Sequence, residues 1–223
     1  MTSSRWQAAG NVYLVSDDDE PPLTPDLDGV MRVLSVDGDD VFVQVVNPDG
    51  SLAEMSGNGT RIAAAWLMDT TGSDHARVHV GRLVVRVRRI DDRLYESDMG
   101  EIEVHEPEQI AGLLVTRVVV GNPHAVVVGD PDELPTIGPL LETHPRFPDR
   151  TNVQIARVEG PGEVTARVWE RGVGETTASG SSAVAVAAAT HGQGDVVVHF
   201  PGGDLRVRLH AGRATLTGPA EPA

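Results

Sequence analysis

Two short stretches hold the residues best able to do chemistry, Ser56-Gly57-Asn58-Gly59 and Ser179-Gly180-Ser181-Ser182. Each follows a β-branched segment and an acidic residue (Glu54, Glu175) and precedes an apolar, alanine-rich run. That is the pattern of a helix start after a strand. A helix N-terminus carries unpaired N–H groups and roughly half a positive charge. Two such ends converging across a pseudo-two-fold would cage one carboxylate. Glycines 57, 59 and 180 would let it approach the backbone. The serines would then flank the bound group. Serine is also an ordinary N-cap, so the symmetry carries the functional reading. It is reinforced by polar residues nine positions upstream of each serine, Asn47 in one case and Glu170-Arg171 in the other.

The elements that must position these stretches are mostly strands. Val41–Val46, Leu83–Val87, Val115–Val120, Ala125–Val128, Val153–Val158, Val164–Trp169, Val196–Phe200 and Leu205–Leu209 are short β-branched runs,. Turn signals such as Asn47-Pro48-Asp49-Gly50 and Pro201-Gly202-Gly203 separate them,. The acidic run Asp17–Glu20 before Pro21-Pro22 reads as a solvated loop,. Only Thr60–Asp69 and Ser182–His191 read as helices. Both are apolar nearly all round, so each should be buried on all sides,.

The halves look duplicated. Gly10-Asn11-Val12-Tyr13-Leu14-Val15 recurs as Gly121-Asn122-Pro123-His124-Ala125-Val126, and the two serine stretches follow in the same order, at offsets of 111 and 123 residues. The expected fold is α+β with two pseudo-symmetric domains. Each would be a curled mixed sheet around one central helix, with the ligand cleft between them. The boundaries fall at 1–112 and 113–211, and the tail 212–223 is expected to return to the first domain.

Composition removes whole classes of function. The chain has 223 residues and a formal net charge of −15, and all 18 basic residues are Arg. Without Lys there is no pyridoxal phosphate Schiff base and no Walker-type phosphate loop. Without Cys there is no disulfide, thiolate chemistry or thiolate metal site,. The acidic balance works against nucleic acid and anionic membranes as partners. There is no long apolar span and no signal-like start, so the chain reads as cytoplasmic,. His75 and His79 are four apart on a strand-like segment without the zinc-protease motif, and neither serine sits in a Gly-x-Ser-x-Gly elbow,. No metal and no cofactor is expected.

Several stretches resemble the diaminopimelate epimerase family. They are Gly10-Asn11; Asn47 through Gly59; Asp98-Met99-Gly100; Gly121-Asn122-Pro123-His124; Arg150-Thr151-Asn152-Val153; Trp169 through Ser181; and Leu216 through Ala220. They span nearly the whole chain in family order. The resemblance implies cofactor-independent interconversion of LL- and meso-diaminopimelate by a homodimer. It places substrate contacts on Asn11, Asn47, Gly57, Asn58, Asn122, Asn152, Glu170, Arg171, Gly180 and Ser181, with Arg171 pairing with the distal carboxylate. It also implies two catalytic cysteines, and both positions are serine here, Ser56 and Ser179. A thiol with a pKa near 8.5 can serve as a base near neutrality. An alcohol is far less acidic, so proton abstraction is expected to be impaired. The family's glycine-rich segment before the first Asn motif survives only as Asp28-Gly29. Two alternatives stay open: a catalytically silent amino-acid-binding relative, and another racemase or dehydratase of the same superfamily. His124 reads equally well as a packed histidine.

Overall fold

The structure is a computed structural model describing residues 3–18, 21–53 (without the Ala53 side chain) and 56–223. The acidic residue Glu54 and the end of the Asp17–Glu20 loop lie outside the described residues. The chain divides into two compact units: residues 1–98 with 217–223, and residues 99–216.

The first unit is built from β1 (Ser3–Ala8), β2 (Asn11–Ser16), β3 (Gly29–Asp37), β4 (Asp40–Val46), β5 (Leu52–Ala53), α1 (Gly57–Thr71), β6 (His75–Val80), β7 (Leu83–Asp91) and β8 (Leu94–Glu101), which runs past the division. β1–β2 is an antiparallel hairpin and β2 lies parallel to β3. β3–β4 is antiparallel with a register shift between Val33 and Ser35, and β5 folds back on β4. After α1 the chain returns parallel to β4 as β6, then runs antiparallel through β7 and β8. The chain end also belongs here. Ala220 N–H donates to Arg93 O, and the last strand pairs with β1.

The second unit repeats this plan. Its elements are β9 (Glu103–Val104), β10 (Glu108–Ile110), β11 (Leu113–Val119), β12 (Pro123–Val128), α2 (Leu134–Glu142), β13 (Asn152–Gly160), β14 (Glu163–Glu170), β15 (Gly174–Thr176), α3 (Gly180–Thr190), β16 (Gly194–Phe200), β17 (Gly203–His210) and β18 (Arg213–Pro219), which runs past the division; the last strand, β19 (Glu221–Pro222), belongs to the first unit. β11–β12 is antiparallel, β12–β13 parallel, β13–β14 antiparallel with one register shift, and β15 folds back on β14. β16 runs parallel to β14 after α3, and β17 antiparallel to β16. The expected mixed-sheet duplication is therefore carried by strand pairing, element for element.

Both expected helices form, one turn or so earlier than their apolar runs begin, because the glycine stretches themselves are helical. Their interiors are buried nearly all round, including Ile62–Ala65 in α1 and Ala183–Ala187 in α3. α1 ends in a left-handed Gly72 whose N–H caps Met68 O,. The Ala faces let strands approach. Val41, Val43, Val78, Val80 and Val87 pack around α1 in one core cluster.

α2 is a third helix, beyond the two expected. Prolines 131, 135 and 139 hide it, yet Pro135 sits in the first turn, where a missing N–H costs nothing,. Its Leu134, Ile137 and Leu141 bury against Ala125, Val127, Val153 and Ile155. β13 is thereby buried on both faces from Asn152 to Ala156,.

Candidate active site

α1 and α3 each begin at a serine in extended backbone conformation, Ser56 (φ −137°) and Ser179 (φ −144°). That conformation turns the chain from strand into helix and leaves the first N–H groups pointing out of the helix end.

At α1 the expected residues form one network. Ser56 Oγ accepts from Gly59 N–H at 3.0 Å. Asn58 Nδ2 donates to Asn11 Oδ1 at 2.6 Å, and both residues are buried. Gly59 is needed at close quarters. A Cβ there would lie 2.7 Å from Met31 Cε and 3.1 Å from Ser56 Oγ. Asn47 does not join this network through the bonds it makes to Ser51, which close a turn (Nδ2 to Ser51 Oγ, 3.0 Å, and N to Ser51 O, 2.8 Å).

Two further residues at this helix start were not anticipated. The Tyr13 hydroxyl lies 3.2 Å from Ser56 Oγ. Arg61 is fully buried. Its guanidinium donates to Gly57 O (3.3 Å), Asn58 Oδ1 (2.7 Å) and Pro219 O (3.3 Å), all neutral acceptors. Burial pushes its pKa down to about 10, so it remains a cation at neutral pH,. An arginine at the head of a run that is otherwise apolar until Asp69 was the signal in the sequence,. Tyr13 offered only its position two residues after Asn11.

At α3 the expected residues fall into smaller groups. Asn152, buried, accepts from Arg171 N–H through Oδ1 at 3.0 Å and donates through Nδ2 to Pro123 O at 2.9 Å. This fixes the backbone that presents Glu170 and Arg171. The Glu170 carboxylate accepts from Thr176 Oγ1 at 2.6 Å, and an Arg171 guanidinium N–H lies 3.4 Å from Asp149 O. Ser179, Gly180 and Ser181 are buried at the helix start, and Ser179 makes no side-chain cap bond. Asn122 Oδ1 lies 2.7 Å from His124 Nε2, and Gln154 Nε2 bridges His124 Nδ1 (3.0 Å) and Ser182 Oγ (2.9 Å). Complete burial drives the His124 pKa down to about 3,. It is a neutral, packed imidazole held between Asn122 and Gln154.

Chemically, each helix start offers convergent N–H donors beside a hydroxyl, which suits a carboxylate-bearing ligand. Among the described residues no cluster of three or more His, Asp or Glu could hold a metal ion, and no helix is long and apolar enough to cross a membrane.

Solved structures share this fold. A hydroxyproline epimerase from Agrobacterium vitis aligns over 99% of this chain and 90% of its own, with TM-score 0.77 and 15% identity. A probable proline racemase from Agrobacterium radiobacter K84 aligns with TM-score 0.74 and 13% identity, over 99% and 90% of the two chains. Sequence relatives are nearer. The diaminopimelate epimerase of Synechococcus sp. (strain JA-3-3Ab) is 36% identical over 100% of this chain and 96% of its own length. That of Pelotomaculum thermopropionicum is 39% identical over 87% and 80%. The profile described as diaminopimelate epimerase matches residues 19–105 and 116–221. The chain belongs to the diaminopimelate epimerase family.

Proposed function

We propose that this chain interconverts LL- and meso-2,6-diaminopimelate by moving the α-proton without a cofactor. Ser56 and Ser179 occupy the two acid/base positions. The observation that carries the reading is the duplicated plan: two strand–helix units, each delivering a glycine-containing helix start with serine at its first position. Family membership supplies the substrate, and the helix-start N–H groups supply donors for its reacting carboxylate. Arg171 takes the distal carboxylate through its guanidinium fork. Asn11, Asn47, Gly57, Asn58, Asn122, Asn152, Glu170, Gly180 and Ser181 line the substrate.

With hydroxyls in both positions, the expected turnover is well below that of a dithiol version. A bare alkoxide base is costly at about 1.4 kcal/mol per pKa unit. Resemblance further supports a homodimer acting on a small molecule, and the acidic composition argues against a nucleic-acid or anionic-membrane partner,.

The test follows the α-proton signal of LL-diaminopimelate by NMR in D₂O, for the unmodified chain and for the Ser56→Cys/Ser179→Cys variant. Loss of that signal with meso product from the unmodified chain supports the assignment, and conversion by the variant alone would mean an intact substrate site that lacks only its two thiols. Faster conversion by the dithiol variant would assign both serines to the acid/base positions. No exchange by either protein overturns the assignment as an activity.

A further inference from the structure

We propose that Tyr13 supplies the basic group on the α1 side of the reaction, working through Ser56. The proposal rests on the epimerase reading above and gives the serine a means to accept a proton.

The arrangement is built, not incidental. Tyr13 is buried on β2, with its hydroxyl 3.2 Å from Ser56 Oγ. Its ring crosses the backbone at Gly29, where a Cβ would lie 2.8 Å from Tyr13 Cε1 and 2.9 Å from Val46 O. Only glycine leaves room for the ring there. Ser56 Oγ already accepts the Gly59 N–H. Its own O–H is therefore available to point at the tyrosine oxygen, leaving one lone pair for an incoming proton. The buried Arg61 cation donates to Gly57 O and Asn58 Oδ1 at the first turn of the same helix. Its field and that of the helix N-terminus both favour negative charge at this spot.

A phenol has an ordinary pKa near 10, far closer to neutrality than an alcohol. The step is a relay. The substrate Cα–H bond breaks and its proton forms a new bond to Ser56 Oγ. The original Ser56 Oγ–H proton passes to the Tyr13 phenolate oxygen. The electron pair stays on the α-carbon and spreads into its carboxylate. One negative charge enters and one leaves, and no redox partner is needed. In the second unit His124 takes the place of Tyr13, and its ring nitrogens are engaged by Asn122 and Gln154 rather than by Ser179. The relay belongs to one face only. Tyr13 acts through Ser56 and is a positioning residue in that sense.

The experiment is α-deuteration of LL-diaminopimelate in D₂O across pH, with Tyr13→Phe, Ser56→Cys/Ser179→Cys, and the triple combination. The chain has two tyrosines. Alkaline titration of the unmodified chain beside Tyr13→Phe, read by phenolate absorbance, identifies which step belongs to Tyr13. The expected result is exchange that rises with pH along that Tyr13 step. Tyr13→Phe should remove the step and lower exchange at least 100-fold. In the Ser56→Cys/Ser179→Cys background, where a thiolate is its own base, the loss should shrink below tenfold. Equal losses in both backgrounds, or a rate profile unrelated to the phenolate step, would assign Tyr13 a structural role and overturn the relay. A silent unmodified chain beside an active dithiol variant overturns the relay alone. Silence from both defeats the epimerase reading and the relay with it.

Discussion

The two units share one chain path but finish it differently, at the helix start and on the outer face of the sheet. In the first unit α1 begins with a closed cap, a tyrosine on the capping serine, and a buried arginine among neutral acceptors. In the second, α3 begins with an uncapped serine, a neutral buried histidine two bonds away from Ser182, and Val184 where the duplication aligns it with Arg61. On the outer face, the second unit inserts α2 between β12 and β13 and buries both sides of β13. In the first unit the connection from β2 to β3, residues 17–28, is shorter than the one that carries α2. Leu34, Val36 and Phe42 on β3 and β4 stay exposed. A duplicated scaffold thus fixes where the two serines sit. The environment of each is set separately by the residues beside it.

This contrast can be broken most severely at Arg61. Arg61→Leu leaves Gly57 O, Asn58 Oδ1 and Pro219 O without their donor in a dry site, and should lower unfolding free energy by about 3 kcal/mol,. Urea unfolding measures it, and Val184→Leu in the other unit should cost less than half as much. A loss under 1 kcal/mol would mean that the cation contributes little to the first unit's stability.

The α2 insertion is tested at Gly138. A Cβ there would lie 2.8 Å from Trp169 Cγ and 2.9 Å from its Cβ. Gly138→Ala should therefore destabilise by about 2 kcal/mol. Trp169 Nε1 donates to Glu142 Oε2 at 2.7 Å, and Glu142 Oε1 accepts the Gly172 N–H at 2.8 Å. The same substitution should shift Glu170-Arg171 and raise KM more than it lowers kcat. An unchanged KM would disconnect α2 from the site.

The buried His124 sets a pH dependence peculiar to the second unit. Its folded pKa, about 3, lies below the ordinary 6.5, so the fold holds the neutral form. Its contribution is complete above pH 6.5 and is lost as pH falls toward 3, because the unfolded chain takes up the proton first. His75, whose pKa is raised by Asp74 and Asp39, works in the opposite sense. Its contribution is present below 6.5 and lost as pH rises through its raised value. The stability difference between the unmodified chain and His124→Gln, read by urea midpoints from pH 7.5 to 5.5, cancels His75. That difference should shrink by on the order of 1 kcal/mol. A constant difference would rule out the neutral buried imidazole.

The smallest effect separates the caps. Ser56→Ala removes the bond to Gly59 N–H and should cost about 1 kcal/mol in thermal or urea unfolding,. Ser179→Ala, with no cap bond to lose, should cost roughly 0.3 kcal/mol or less,. Equal costs would erase the asymmetry between the two helix starts.

Much of this molecule was legible in the chain. The β-branched runs and the two all-apolar segments fall in observed strands and helices, because burial on a sheet or inside one leaves periodic residue types behind. α2 was not legible. Three prolines mask its short apolar stripe, and its helicity is stabilised by packing on β12 and β13 rather than by its own propensity,. Asn47 illustrates a residue whose local role alone was legible: its bonds to Ser51 close the turn that the Asn-Pro-Asp-Gly signal announces,.

By itself the sequence determined the duplication, the two helix starts that open on serine, the absence of Lys and Cys chemistry, and the family. These are local patterns or compositions, and they survive without coordinates. Only the tertiary structure decided what stands beside each serine. Tyr13 and Ser56 are 43 residues apart, and Arg61 and Pro219 are 158 apart. Contacts at such separations are set by strand register and burial, which no short window of residues records. The same backbone plan therefore gave one helix start a phenol and a buried cation, and the other a neutral imidazole.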